Sequence, residues 1–142
     1  MNKATTTNAQ IKKIKKSLLR KFSLSYSEAQ RFQSFDYLLI IKSLSKISIR
    51  ITLYPLKTRN VLKLTINAPN DHDEMFLKIS EFLKNYEIIH ASGLIEINTN
   101  LLLECYIKGR LNTQELNQLD DFLDDIKTSK TFLNIEKIKF KR

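Results

Sequence analysis

The stretch Ile97–Gly109, INTNLLLECYIKG, decides the fold. Asn98, Thr99 and Asn100 are residues that favour tight turns. Downstream, Leu101 to Lys108 reads as a strand, with Leu101, Leu103, Cys105 and Ile107 on one face and Leu102 and Tyr106 on the other. Upstream, Glu87 to Ile97 puts Ile89, Ala91, Gly93, Ile95 and Ile97 on one face, so the two runs form a hairpin.

The pattern continues outward on both sides. Leu62, Leu64 and Ile66 alternate with Lys63 and Thr65 in a strand that stops at Pro69. Asn70 or Asp71 then caps a helix with Asp73 and Glu74 in its first turn, where acids favour the helix dipole. Its apolar stripe is Met75, Phe76, Ile79, Phe82 and Leu83. After the hairpin, Asn112 with Glu115 opens a second helix with the stripe Leu116, Leu119, Phe122, Leu123 and Ile126, and Phe132 to Phe140 is the last strand. The order βαββαβ is the ferredoxin-like split βαβ unit. Two helices cover one sheet face, and strands apolar on both faces are expected to be buried on both. A homodimer or higher oligomer joined through the sheets is therefore expected.

Ahead of this unit, residues 8–22 read as an amphipathic helix, with Ile11, Ile14, Leu18, Leu19 and Phe22 at helical spacing. Ser25 with Glu28 forms a capping box for a short helix from Tyr26 to about Gln33, whose apolar side is Ala29 and Phe32. A third helix is expected over Phe35 to Ile47, starting at the cap Ser34; the run Leu38–Ile41 also fits a buried strand. Ile47, Ile49, Ile51 and Leu53 then alternate with polar residues in a strand ended by Pro55. Three helices and a strand match a winged helix-turn-helix. The expected class is α+β, with a winged helix-turn-helix over 1–55 and a ferredoxin-like sensing and oligomerisation domain over 56–142.

Charge divides along similar lines. Residues 1–59 hold 13 Lys and Arg against two acids, Glu28 and Asp36, for a net +11; residues 60–142 hold 11 against 13, for a net −2, giving the total of +9. A basic half attracts a polyanion through phosphate neutralisation and counterion release. Nucleic acid, as double-stranded DNA, is the expected partner, although an anionic membrane surface satisfies the same charge. With 17 Ile and 21 Leu among 142 residues the chain has ample material for a core. One Cys excludes an intramolecular disulfide, and two Gly exclude a glycine-rich phosphate loop. No apolar run approaches the roughly 18 residues of a membrane span, and Met1–Gln10 is polar, unlike a signal peptide. A cytoplasmic protein without a membrane partner is expected.

The residues Ile88 to Phe140 resemble the ligand-sensing domain of the Lrp/AsnC (feast/famine) transcriptional regulators. The resemblance lies in INTNLLLECYIKG, in LNTQELNQLDDFLDDI (Leu111–Ile126) and in the closing IEKIKF. SLSYSEAQRF (Ser23–Phe32) is similar to the family's second helix, and IRITLYP (Ile49–Pro55) to the strand linking its two domains. The resemblance implies a dimeric or larger DNA-binding transcription regulator with an amino-acid effector held near the hairpin turn. On this basis Asn98, Thr99 and Asn100 are the candidate ligand contacts. Ile97 and Asn100 stand where the family usually has Gly and Asp, which argues against amino-acid sensing.

The candidate DNA contacts are Lys12, Lys13, Lys15, Lys16, Arg20 and Lys21, followed by Arg31, Lys42, Lys46 and Arg50. The expected third helix offers mainly Leu38, Leu39, Ile40 and Ile41, a poor set for base-edge hydrogen bonds. Backbone-dominated DNA binding through the first helix, or burial of the third helix in an assembly contact, is therefore favoured over sequence reading. The alternative is an ACT-like interaction or ligand-sensing module that regulates a partner protein. Asp71-His72-Asp73-Glu74 reads as an acid-dressed helix start and not a metal site, and Cys105 as a buried thiol without a base. No nucleophile–base pair, metal set or carboxylate pair is visible, so neither an enzyme nor a bound cofactor is expected.

Overall fold

Leu38, Leu39, Ile40 and Ile41 are four consecutive aliphatics, and all four are buried. One helix face cannot bury four neighbours in a row, whereas a central strand covered on both faces can. The computed structural model, which describes residues 6–69, 73–109, 113–126 and 132–142, places them in a strand. The chain is α+β, with two four-stranded sheets. It divides into two compact units, one of residues 1–59 with 138–142 and the other of residues 60–137.

The first unit contains β1 (Thr7–Lys13), α1 (Lys16–Arg20), α2 (Tyr26–Gln30), β2 (Tyr37–Leu44) and β3 (Ile49–Leu56). This is not the winged helix-turn-helix expected over 1–55. The expected first helix is a strand followed by a five-residue helix, and the expected third helix is β2. The apparent helical stripe joined two elements. Ile11 belongs to β1, opposite Leu39, while Leu18 and Leu19 of α1 are buried against Leu38 and Ile40 with Ile14, Phe22, Ala29, Phe32 and Leu53 around them. The capping box is present: the Ser25 Oγ accepts from the Glu28 N–H at 3.2 Å, and the Ser25 N–H donates to Glu28 Oε1 at 2.9 Å. Pro55 lies inside β3 and does not end it; β3 is an edge strand, where a missing N–H is tolerated.

The second unit contains β4 (Val61–Pro69), α3 (Asp73–Leu83), β5 (Ile88–Ile97), β6 (Asn100–Lys108), α4 (Thr113–Ile126) and β7 (Phe132–Lys137). Its strand order β5-β6-β4-β7, with antiparallel pairing throughout, is that of the ferredoxin-like unit. Leu64, Ile66, Leu103, Cys105 and Ile107 from the sheet form a core with Ile79, Phe82 and Leu83 of α3 and Phe122 of α4. The Phe82 and Phe122 rings stack at 4.1 Å.

The last strand departs from expectation. It stops at Lys137, and a separate strand, β8 (Phe140–Lys141), pairs in parallel with β1. The first sheet therefore has the order β3-β2-β1-β8. The final residues carry Lys139, Lys141 and Arg142 into the basic unit, which then holds 16 Lys and Arg against two acids, a net +14. The other unit holds eight against 13, a net −5.

Candidate anion-binding site

Antiparallel pairing of β1 with β2 sets Lys12 opposite Leu38 and Lys13 opposite Tyr37, at the end of the sheet where α1 begins. Lys15 precedes α1, and Lys21 follows it. Parallel pairing of β8 with β1 puts Phe140 beside Ile11 and Lys141 beside Lys12. These segments surround a cavity of about 500 Å³ lined by Lys12, Lys13, Lys15, Ser17, Leu18 and Lys21, with Tyr37, Arg59, Phe140, Lys141 and Arg142 completing it. Its side chains thus include seven cations, and no Asp or Glu is among them.

The two aromatic side chains are held in place. The Tyr37 and Phe140 rings meet edge to face at 5.6 Å and 85°. The Arg59 guanidinium lies 4.9 Å from the centre of the Phe140 ring, a cation–π arrangement that fixes a long side chain at the cavity. Seven like charges around one concavity repel each other, and an anion inside relieves that repulsion. A volume of this size is in the range of small-molecule clefts. The chemistry it fits is phosphate or another multiply charged oxyanion.

Of the sequence candidates, Lys12, Lys13, Lys15 and Lys21 come together here. Lys16 and Arg20 are exposed on α1 and do not line the cavity, and Arg31 is exposed just past α2. Lys42 lines a smaller cavity of about 160 Å³ with Asn8, Gln10 and Lys141. Lys46 and Arg50 lie at the β2–β3 hairpin. Arg59, Lys141, Arg142 and the two aromatics were not legible as site residues. The available signal was the basic ending KFKR, whose strand pairs outside the second unit.

Asn98 and Thr99 form the two-residue turn between β5 and β6, both with positive φ (48° and 67°). They are exposed, and neither they nor Asn100 line the two cavities. Asp71 and His72 lie outside the described residues. Among the described residues, no group of three or more His, Cys, Asp or Glu could hold a metal ion. Cys105 is fully buried, and that burial pushes its thiol up to about 11. His90 is half-buried, 6.0 Å from the Tyr106 ring, and burial holds its imidazole below the usual value. Leu102 and Tyr106, the basis for expecting a dimer through the sheets, are both buried.

One polar feature of the second unit was missed altogether. Lys63 of β4 and Glu104 of β6 form an ion pair at 2.8 Å, with both side chains buried. The Lys63 ammonium also lies 5.7 Å from the centre of the Tyr106 ring, and the Glu104 N–H donates to the Ser92 Oγ at 3.0 Å. A Lys in an alternating strand reads as a solvent-facing residue, so nothing in the residue pattern signals the pair.

No protein-family model and no curated protein matches this chain. Among solved structures, it is similar to an ACT domain protein from Streptococcus pneumoniae, at 12% identity and a TM-score of 0.43, over 56% of this chain and 91% of that one.

Proposed function

We propose that this chain is a non-catalytic binding protein that regulates or tethers a partner. Its first unit holds a phosphate-bearing polyanion by charge, and its ferredoxin-like second unit serves as an ACT-like interaction or ligand-sensing module. The cation-lined cavity of Lys12, Lys13, Lys15, Lys21, Arg59, Lys141 and Arg142 is the observation that carries the reading. Among the described residues, the first unit has no helix longer than five residues to lie in a major groove as a recognition helix does, and four of its candidate lysines gather in a cavity instead. Nucleic acid would therefore be held by its phosphates.

The test is fluorescence anisotropy with labelled duplex DNA of two unrelated sequences, with single-stranded DNA and inorganic polyphosphate as competitors. Equal affinity for both duplexes, steep weakening with salt and competition by polyphosphate are expected. A preference of about a hundredfold or more for one duplex, or no binding at low salt, would contradict the reading.

A second reading, sequence-specific regulation of transcription, keeps only the overall basic charge in its favour. It predicts the opposite outcome of the same comparison.

A further inference from the structure

The face of the first sheet that carries α1 and α2 is only partly covered. At its base, Leu38 and Ile40 of β2 and Leu53 of β3 pack against the two short helices. Strand alternation and register put Lys42, Leu44, Ile49 and Ile51 on this same face farther along. There the helices no longer reach: Leu44 is 52% exposed, Ile49 66% and Ile51 46%. Ile47, at the turn, is 95% exposed.

The turn is fixed by its own hydrogen bonds. The Ser45 N–H donates to the Ser48 carbonyl at 3.0 Å, and the Ser48 N–H donates to the Ser45 Oγ at 3.1 Å. The two hydroxyls lie 3.0 Å apart. Lys46 and Ile47 are thus held outward at the apex. Ordering that apex on binding costs little, because it is already ordered.

The charge around this apolar tip has one sign. Lys42, Lys46 and Arg50 flank it, and no Asp or Glu occurs between Asp36 and Asp71. Its occupant must therefore be both apolar and anionic. A second copy of the tip would bring like charges together, and Pro55 blunts the β3 edge against strand pairing. Nucleic acid offers the charge, but single strands are held by stacking bases on aromatic rings, and residues 42–51 contain none. The most exposed apolar residue stands at the apex with cations behind it. That arrangement suits entry into a lipid surface better than docking along a peptide.

We infer that the far end of the β2–β3 hairpin docks on an anionic lipid bilayer, Ile47 and Ile49 entering the acyl boundary while Lys42, Lys46 and Arg50 meet the headgroups. This is contact with a surface; among the described residues no helix is long and apolar enough to cross a membrane. The tip is at the opposite end of β2 from Tyr37 and the cation-lined cavity, about 23 Å away at roughly 3.3 Å per residue. The two sites can therefore be tested separately.

Sedimentation of the full chain with phosphatidylcholine vesicles, with and without phosphatidylserine, tests the inference. Binding to the phosphatidylserine vesicles alone is expected, weakened roughly tenfold by Ile47→Ser with Ile49→Ser. Both side chains are exposed, so the circular dichroism spectrum of the double variant should match the parent. The chain has no Trp, so Ile47→Trp supplies a single-site reporter whose emission should shift to the blue on vesicle binding. Absence of vesicle binding, retention by the serine variant, or an indole at position 47 that keeps its solvent emission wavelength would overturn the inference. So would a loss of binding caused by Lys12→Glu with Lys13→Glu alone, which would assign the lipid to the cavity. A parent chain that dimerises while the serine variant does not would overturn it too, assigning the tip to a second copy.

Discussion

Cys105 and the Lys63–Glu104 pair illustrate what burial does to single residues. Burial disfavours a thiolate, so the thiol of Cys105 stays protonated through the physiological range. A thiol-reactive dye at about pH 8 should leave the folded chain unlabelled and react at once in denaturant; rapid labelling under native conditions would contradict that burial. The ion pair carries the opposite risk. Lys63→Met leaves Glu104 charged and without its ammonium partner, a loss of about 3–5 kcal/mol. Lys63→Met with Glu104→Leu should recover most of that in urea unfolding, because both desolvated charges are gone. At the β5–β6 turn, Thr99 is a β-branched residue at φ 67°, a conformation costly for L residues. Thr99→Gly should raise stability by about 1 kcal/mol, read as a higher urea midpoint with unchanged slope.

At the scale of elements, the second unit was readable because its signals agree. Stripes at helical spacing over α3 and α4, alternation in β4 and turn residues at 98–100 all point to one topology. The first unit was less readable because its elements are short. Ile11 of β1 and Leu18 of α1 fall seven residues apart, a helical interval produced by a strand running into a helix. The Leu38–Ile41 run is a central strand, which periodicity alone does not separate from a buried helix. The site was half legible for a related reason. The local lysine cluster is visible in sequence, whereas Arg59, Lys141 and Arg142 join it only in the folded unit, the last two through the pairing of β8 with β1. The exposed end of β3 also reads as a buried face in sequence, since alternation reports a strand and not what covers it.

The capping box of α2 was legible from four residues and makes a prediction at the same scale. Hydrogen bonds from the Ser25 backbone and side chain hold the Glu28 carboxyl below its ordinary value of 4.5. A depressed carboxyl stabilises the fold above its unfolded value and loses that contribution as pH falls through the folded one. Ser25→Ala should cost about 1 kcal/mol near neutral pH. The gap between the parent and Glu28→Gln should narrow as the pH falls below 4.5, as followed by urea unfolding.

For the whole molecule, what matters is how the charge is shared. A total of +9 separates into +14 on one unit and −5 on the other. The lining of the basic cavity contains no Asp or Glu. Binding to a phosphate chain should thus be governed by counterion release and weaken steeply with salt. Each cavity lysine that neutralises a phosphate adds about one to the slope of log affinity against log salt. The most direct measurement is that slope for duplex DNA in the parent chain and in Lys12→Glu with Lys13→Glu, neither of which is buried, so folding should be intact. A slope smaller by about two, with weaker binding at every salt concentration, is the predicted result; an unchanged slope and affinity would contradict the assignment of the cavity as the polyanion site.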